Sequence, residues 1–337
     1  MFVLVKELCN LCAPSGFEDE VRSFIRERVK ADEIYTDTIG NLICHKKGSG
    51  KKVMVAAHMD EVGFIITDIA EDGFLKFSTL GGIETAVLCG KKVLIGKNRI
   101  PGIIGAKAIH LQKRDEVLNP PKIKDLCIDI GAKDKESAKK LVEIGDFAVF
   151  DGKYTEFGEN LVKSKALDDR VGCAILLELM KEKYDSDVYF VFTAQEEVGL
   201  RGAIISANEI KPDIALVIEG TTCSDVYGSK PHNQVTNLGG GAVMTAMDRA
   251  AISDRKYFEF IMKTAKENNI PLQIKRTAMG GTDAGAIQRS GTGVKTAVLA
   301  VPCRYIHSPV SVMCKDDLES VLKLSKAVLK SIEGSDL

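Results

Sequence analysis

The chain has 337 residues, of which 45% are hydrophobic and 28% are charged, a composition typical of a globular protein with one large domain or two smaller ones. Because 46 lysines and arginines balance 47 aspartates and glutamates, the charge gives no indication of a nucleic-acid partner or a membrane-surface partner. The sequence has no apolar run of about 18 residues, so we expect no transmembrane helix.

The nine cysteines indicate a reducing compartment. They are odd in number, and several lie in apolar segments, as Cys127 and Cys173 do, which favours free thiols over disulfides. Cys9 and Cys12 form one CxxC motif, but this spacing also suits packing on one face of a helix. The first ten residues lack the pattern of a signal peptide. We therefore predict a cytoplasmic protein.

Residues 1–30 predict two helices separated by a turn at Ala13-Pro14-Ser15-Gly16. Serine is a frequent N-cap residue, and a glutamate three residues later can complete a capping box. Ser15 and Glu18 have this spacing, so we expect Ser15 to begin the second helix.

Four apolar segments predict buried β-strands, at residues 53–57, 188–193, 214–218 and 296–301. Continuous apolar runs of this length fit strands that are buried on both faces. Helical patterns accompany them, at residues 169–183, 199–209, 253–269 and 315–333. This alternation predicts an α/β fold with a mixed, mostly parallel central sheet flanked by helices.

The segment between about residues 65 and 160 has a different pattern. It is rich in glycine and β-branched residues and has turn signals at 71–73 and 81–82, with one helical stretch at 134–142. We interpret residues 65–160 as an inserted, mainly β domain. Residues 1–64 and 161–337 then form the main domain, which contains the predicted α/β sheet.

A histidine and an aspartate follow the first predicted strand, at His58 and Asp60. Side chains alternate along an extended segment, so both point to the same side. A histidine that binds a metal usually donates its other ring nitrogen to an acceptor such as a carboxylate, and Asp60 can be that acceptor. The alternative interpretation is a solvated histidine at the end of a strand.

Two pairs of adjacent carboxylates lie at the ends of other predicted elements. Asp168 and Asp169 precede a helix, where acidic residues are often only caps; alternatively, Asp169 acts as the cap while Asp168 faces a metal. Glu196 and Glu197 follow a buried strand. One of them can bind a metal while the other takes a proton from water whose pKa the metal lowers. A solvated acidic loop is the alternative interpretation of this second pair.

Two further residues complete the candidate site. Glu219 ends the third apolar strand and needs a partner there, because burial of an unpaired carboxylate is costly. His307 follows the fourth strand; a single histidine is more often a hydrogen-bonded surface or core residue. Together the candidates supply two histidines and three carboxylates, with a spare glutamate beside them. Such a set suits two divalent metal ions, a bridging carboxylate and an attacking water.

Two glycine clusters, at 239–241 and 280–281, lack the Lys-Ser/Thr pair that follows a phosphate-binding loop, so we do not expect nucleotide binding. Glycine at these positions allows the backbone to pass close to a substrate cleft. Asp283 lies beside the second cluster and can be either a cleft residue or a helix cap, and we favour the cap.

An ordered set of motifs resembles the M42 family of metallo-aminopeptidases over essentially the whole chain. The motifs are APSG at 13–16 with Glu18, HMDEVG at 58–63, LDDR at 167–170, EEVG at 196–199, GGTDA at 280–284 and RYIHSP at 304–309. The resemblance implies a two-metal hydrolase that removes N-terminal amino acids from peptides. A metal-activated water would attack the first peptide bond.

The resemblance also implies roles for individual residues. One metal ion would be held by His58, Asp168 and Glu219, and the second by Asp168, Glu197 and His307. Glu196 would be the general base and return the proton to the leaving amine, and Asp60 would orient His58. The metals of this family are usually zinc or cobalt. The peptide bond after Asp168 would be cis, as in related enzymes.

For the inserted domain, the resemblance implies a PDZ-like barrel that drives oligomerisation. Relatives often form a hollow tetrahedral dodecamer whose active sites face inward, which admits peptides and excludes folded proteins. We therefore expect a homo-oligomer that acts on peptides.

Three alternatives remain at this point. Glu219 stands where many relatives carry aspartate, which keeps open a two-metal carboxypeptidase or deacetylase on the same fold. A glycosidase is less favoured, although some relatives are labelled endoglucanases, because its two carboxyls need no histidine ligands. A non-enzymatic binding protein is disfavoured because every candidate position of the site is filled.

Overall fold

The computed structural model describes residues 1–337, apart from the side chains of residues 115 and 116. Its helices are α1 Phe2–Cys9, α2 Asp19–Arg26, α3 Arg114–Leu118, α4 Lys135–Ala138, α5 Leu167–Leu179, α6 Arg201–Ile210, α7 Arg255–Glu267, α8 Asp283–Gln288 and α9 Lys315–Ser331. Its strands are β1 Glu33–Thr36, β2 Leu42–Lys46, β3 Lys52–His58, β4 Gly63–Ile69, β5 Leu75–Leu80, β6 Lys92–Ile95, β7 Ile100–Ala106, β8 Leu126–Asp129, β9 Phe147–Phe150, β10 Thr155–Phe157, β11 Leu161–Ser164, β12 Asp187–Thr193, β13 Ile214–Cys223, β14 Ala242–Thr245, β15 Leu272–Ile274, β16 Lys295–Arg304 and β17 Ser311–Cys314.

A mixed sheet forms the centre of the fold, in the order β1-β2-β12-β3-β13-β16-β17-β11-β10, with β14 and β15 attached beside β16. The four strands β12, β3, β13 and β16 are parallel to one another. Antiparallel strands extend the sheet on both sides of them, through β2 and β17. The α/β fold is confirmed, and its parallel part consists of the four apolar segments that the sequence pattern identifies.

Helices cover both faces of this sheet, because its central strands are apolar on both faces. Val55 and Ala57 of β3 enter the core beneath α1, α5, α7 and α9. Met54 and Ala56 of the same strand enter the core beneath α6 and α8. Successive side chains of a strand point to opposite faces, so one strand contributes to both cores.

The second unit is a closed barrel of six strands in the order β4-β5-β8-β7-β6-β9, all paired in antiparallel fashion. Its interior is built around Phe64, whose ring packs edge to face against Phe77 and Phe150 at centroid distances of 5.2 and 5.1 Å. The inserted, mainly β barrel is therefore confirmed. The helical stretch expected at 134–142 is the short helix α4, which Asp134 caps through the N–H of Ser137.

The two N-terminal helices are confirmed, but the expected capping box is wrong. The hydroxyl of Ser15 donates to Oδ2 of Asp60 at 2.6 Å instead of capping α2. Oε1 of Glu18 accepts the N–H groups of Gly16 and Gln195 at 2.7 and 3.1 Å. These polar groups tie the turn to the end of the central sheet, because a long-range carboxylate satisfies the serine better than its local backbone does.

The nine cysteines are all free, and most of them are buried. This agrees with the expectation that the chain has no disulfide framework. Within the described part of the chain, no helix has the length and apolar character needed to span a membrane.

Candidate metal centre

The parallel strands bring the candidate residues together at one edge of the sheet. His58 is the last residue of β3, and Glu219 lies in β13, its neighbour. Glu196 and Glu197 follow β12 on the other side of β3, and His307 follows β16. The carboxyl ends of parallel strands lie at the same edge, where α/β folds usually bind their ligands.

Two groups of possible metal ligands share Asp168. In the first group, Nε2 of His58 lies 3.3 Å from Oδ1 of Asp168 and 3.6 Å from Oε2 of Glu219. In the second, Nε2 of His307 lies 3.3 Å from Oδ2 of Asp168 and 3.3 Å from Oε1 of Glu197. The ligand atoms of each group lie within 4.8 Å of one another. Because Asp168 turns one oxygen to each group, its carboxylate can bridge two ions.

The chemistry of this cluster fits divalent cations. Oε1 of Glu219 is buried and has no hydrogen-bond partner. Burial raises the pKa of Glu219 well above its ordinary range and also raises the pKa of Glu197. Unpaired buried carboxylates are costly, and bound cations would offset that cost. Imidazole and carboxylate groups are also the usual ligands of zinc and related metals.

Without a metal, the carboxylates of the cluster favour the protonated forms of the two histidines. Burial would lower the pKa of His58, but Asp168 and Asp60 raise it well above its ordinary range. Burial would also lower the pKa of His307, but its contacts with Asp168 and Glu197 raise that pKa to about 11. The two imidazoliums in turn hold the pKa of Asp168 below its ordinary range despite burial. Metal binding would therefore release protons from the histidines.

Asp60 connects both sides of the centre. Its backbone oxygen lies 3.1 Å from Nδ1 of His58, and its carboxylate oxygen Oδ1 lies 3.5 Å from the same nitrogen. The carboxylate also accepts the N–H groups of Glu196 and Glu197 at 3.0 and 3.1 Å. One buried side chain thus holds the end of β3 against the turn that carries the two glutamates.

The start of α5 separates the roles of its two aspartates. Asp169 accepts the N–H of Gly172 at 3.0 Å and the N–H of His58 at 3.3 Å, so it caps the helix and attaches it to β3. Asp168 has a non-helical backbone and faces both histidines, and the peptide bond between the two residues is cis.

Glu196 lies beside the ligand groups and is nearly buried. A carboxylate oxygen of Glu196, a carboxylate oxygen of Glu197 and a ring nitrogen of His58 all lie within 4.8 Å of one another. Burial raises the pKa of Glu196 well above its ordinary range. A carboxyl with a raised pKa next to a metal centre suits a group that takes up and releases a proton.

A cavity of about 990 Å³ opens over the centre. The barrel forms part of its wall through Gly82, Glu84, Val87 and Lys91. The backbone oxygen of Gly82 also lies 3.0 Å from Nδ1 of His307, so the barrel helps to orient a ligand-type side chain. The site therefore depends on both units of the fold.

Asp283 has a different role from the cap that its position in the sequence suggests. Thr282 stands at the N-cap of α8, whereas Asp283 is buried and its Oδ2 accepts the hydroxyl of Thr193 at 2.5 Å. Its Oδ1 has no partner, and burial raises its pKa to about 6. The cap interpretation is wrong because the carboxylate of Asp283 accepts its hydrogen bond from Thr193, the last residue of β12 and 90 residues away in sequence.

Sequence patterns also missed a group of buried charges beneath the centre. Nζ of Lys165 lies 2.6 and 2.8 Å from the two carboxylate oxygens of Glu61, and Nη2 of Arg170 lies 3.0 Å from one of them. All three side chains are buried. Glu61 and Arg170 belong to the motifs at 58–63 and 167–170, but only the fold shows that they pair.

Comparisons with known proteins agree with this geometry. The family model described as M42 glutamyl aminopeptidase matches residues 40–324. A protein of Acetivibrio thermocellus named "Putative aminopeptidase" is 42% identical, covering 96% of this chain and 97% of the relative. The "Lysyl aminopeptidase" of Pyrococcus furiosus is 33% identical, covering 99% of this chain and 98% of the relative.

A solved structure of the same architecture is the TET1 peptidase of Pyrococcus horikoshii, described as able to assemble into a tetrahedron or a large octahedral shell. Its TM-score to this chain is 0.87 at 36% identity, over 97% of this chain and 98% of that one. The extent of these matches and the ordered motifs lead to one conclusion. The chain belongs to the M42 glutamyl aminopeptidase family.

Proposed function

We propose that this protein is a two-metal aminopeptidase that removes N-terminal amino acids from peptides. The observation that carries this proposal is the pair of ligand groups sharing Asp168, with Glu196 beside them. The family membership and the names of the relatives support the class of reaction.

The metal ligands in this proposal are His58, Asp168 and Glu219 for one ion and Asp168, Glu197 and His307 for the other. Two bound divalent ions, zinc or cobalt, would supply Lewis-acid polarisation of the substrate carbonyl and a water of lowered pKa. Imidazole and carboxylate ligands suit both metals.

Glu196 is the general base in this mechanism. Its buried carboxylate takes the proton of the attacking water and returns it to the leaving amine. Asp60 orients both His58 and the turn that carries Glu196. Its backbone oxygen lies 3.1 Å from Nδ1 of His58, and its Oδ1 accepts the N–H of Glu196 at 3.0 Å.

The sheet unit and the barrel have different roles in this proposal. We infer that residues 1–64 and 161–337 form the catalytic domain and that residues 65–160 form a barrel domain for oligomerisation. The barrel wall of the cavity and the shell-forming structural relative support this division. A homo-oligomer, in the form of a tetrahedral dodecamer, would give peptides access to the sites and exclude folded proteins.

The free thiols support a cytoplasmic location, because reducing compartments keep cysteines unpaired. The balanced charge favours peptides over nucleic acids or membranes as partners.

The test uses protein stripped of metal and then reloaded with Zn²⁺ or Co²⁺. We expect metal-dependent hydrolysis of peptides with a free N-terminal amine and none of the same peptides after N-acetylation. Cleavage of the acetylated peptides, or release of C-terminal residues, would instead support the deacetylase or carboxypeptidase alternative and direct attention to Glu219. Activity on β-glucans that survives chelation would support the glycosidase alternative.

A further inference from the structure

Ser15 is a buried serine that contacts Asp60 from outside the two ligand groups. It is only 4% exposed, and its hydroxyl donates to Oδ2 of Asp60 at 2.6 Å. The same oxygen accepts the N–H of Glu197 at 3.1 Å, while Oδ1 accepts the N–H of Glu196 at 3.0 Å. Of these three donors, Ser15 is the one that lies outside the turn of the two glutamates.

The orientation of the Asp60 carboxylate depends on its donors. The last torsion of an aspartate side chain has broad minima, so the side chain itself does not fix the plane of its carboxylate. The N–H groups of Glu196 and Glu197 belong to the turn that Asp60 holds, so they move with that turn. The hydroxyl of Ser15 comes from a separate segment and gives the carboxylate a third, independent contact. Ser15 therefore determines where Asp60 holds the turn relative to His58.

The segment that carries this serine is itself anchored on two sides. Oε1 of Glu18 accepts the N–H of Gln195 at 3.1 Å, so the segment reaches the glutamate turn at a second point. The ring of Phe17 packs on the ring of Phe147 in the barrel, at a centroid distance of 5.2 Å. Because these contacts hold the segment between the barrel and the central sheet, its serine can serve as a fixed reference for Asp60.

Ser15 acts without touching the substrate space. The cavity over the metal centre is lined by His58, Glu196 and Glu197 among others, and Ser15 does not belong to its described lining. Asp60 is completely buried behind these side chains. A substrate in the cavity therefore meets groups that Ser15 controls through Asp60.

We propose that Ser15 is a positioning residue of the metal centre: its hydroxyl orients the carboxylate of Asp60, which holds the turn of Glu196 and Glu197 at a fixed place relative to His58. This inference rests on the proposed two-metal function. The serine hydroxyl keeps its proton throughout and forms no bond to the substrate.

The first test compares Ser15→Ala with the wild type at saturating Zn²⁺, on a peptide amide with a free N-terminal amine. We expect kcat to fall by about 10- to 100-fold, because turnover is sensitive to small displacements of the base, while KM changes by less than about twofold. Ser15→Thr retains the hydroxyl and should retain most of the turnover. A loss confined to KM, or an unchanged kcat in Ser15→Ala, would overturn the inference.

A double-mutant cycle separates positioning through Asp60 from a general effect on folding. In the background of Asp60→Ala, the change Ser15→Ala should lower kcat by less than about twofold, because no carboxylate remains to be oriented. The same fractional loss in both backgrounds would contradict the inference. The matched control is Ser325→Ala, which removes the hydroxyl of a buried serine in α9 that has no hydrogen-bond partner. It should have the kcat and KM of the wild type.

Hydrogen exchange tests the inference without turnover and without metal. In the presence of a chelator, the backbone amides of Glu196 and Glu197 should exchange about 10-fold faster in Ser15→Ala than in the wild type, the value of one hydrogen bond to a charged group. They should exchange at the wild-type rate in Ser325→Ala. Faster exchange supports the inference even if no peptide is cleaved, so a failure of the proposed reaction can be distinguished from a failure of the inference. Unchanged exchange at both amides would overturn it.

Discussion

The sheet edge that carries the candidate site and the closed barrel differ in how completely their buried polar groups are hydrogen-bonded. At and beneath the sheet edge, buried oxygens of Glu219 and Asp283 and two nitrogens of Arg170 have no hydrogen-bond partner. Among the described residues of β4 to β9 and their connections, no buried side-chain nitrogen or oxygen lacks one. Native proteins satisfy nearly all buried polar groups, so the unpaired oxygens of Glu219 and Asp283 fit a functional role at the site. Unpaired atoms of His45, Tyr257 and Ser325 lie elsewhere in the same unit and have no such link.

The sharpest test of this contrast is Asp168→Ala. Because one carboxylate faces both ligand groups, its loss should abolish binding of both ions and lower activity by about 10³-fold or more. Metal content by mass spectrometry and peptide hydrolysis would measure the two effects. A variant that still binds two ions normally would show that Asp168 is not the bridge.

Glu196→Gln should separate binding from chemistry. The amide retains the shape of the side chain but removes the base, so we expect both metals to remain and turnover to fall by about 10²- to 10⁴-fold. Metal analysis and kcat would be compared in the same preparation. Undiminished turnover would remove Glu196 from its assigned role.

Asp283 should make the metal-free protein sensitive to pH. Its pKa rises from 3.8 to about 6 on folding because of burial, so the folded state binds more protons than the unfolded state between these values. Stability therefore falls as the pH rises through this window, by at most about 3 kcal/mol.

Asp283→Asn should lose this contribution, which urea unfolding in the presence of a chelator at several pH values would measure. The stability difference between wild type and variant should change between about pH 4 and pH 6 and be constant above that range. A difference that does not depend on pH would contradict the expected titration.

Asp60→Ala should weaken metal binding by about 10- to 100-fold, since it removes a side chain that supports a ligand. The matched control is Asp187→Ala, which removes the carboxylate 2.7 Å from Nε2 of His45 in the same sheet, away from the candidate site. Titration with Zn²⁺ in competition with a chelator would measure both. Equal affinities in the two variants would show that Asp60 has no particular role.

The smallest effect is expected in the barrel, for Asp134→Ala. This change removes the cap of α4 and should lower Tm by about 2–4 °C without altering metal content or kcat/KM. Calorimetry and the peptide assay would check the two halves of this expectation. A large loss of activity would show that the barrel and the site are coupled more closely than their contacts indicate.

Local patterns predicted much of the fold and the candidate site. The apolar runs that lead to His58, Glu219 and the pair Glu196–Glu197 are strands whose ends meet, because parallel strands place their carboxyl ends at one edge. The roles of Ser15 and Asp283 were predicted wrongly. Both residues have the local position of a helix cap. Ser15 instead bonds Asp60, 45 residues away in sequence, and Asp283 bonds Thr193, 90 residues away. Propensity rules describe only neighbours along the chain.

The sequence by itself determined the periodicity of the elements, the inserted β segment and the residue types available for two metals, since these depend on side-chain alternation and composition. Only the tertiary structure decided which charges are buried together. The ion pairs of Glu61 with Lys165 and Arg170 join residues more than 100 positions apart in sequence. The free energy of a buried charge depends on its surroundings and not on its neighbours in sequence.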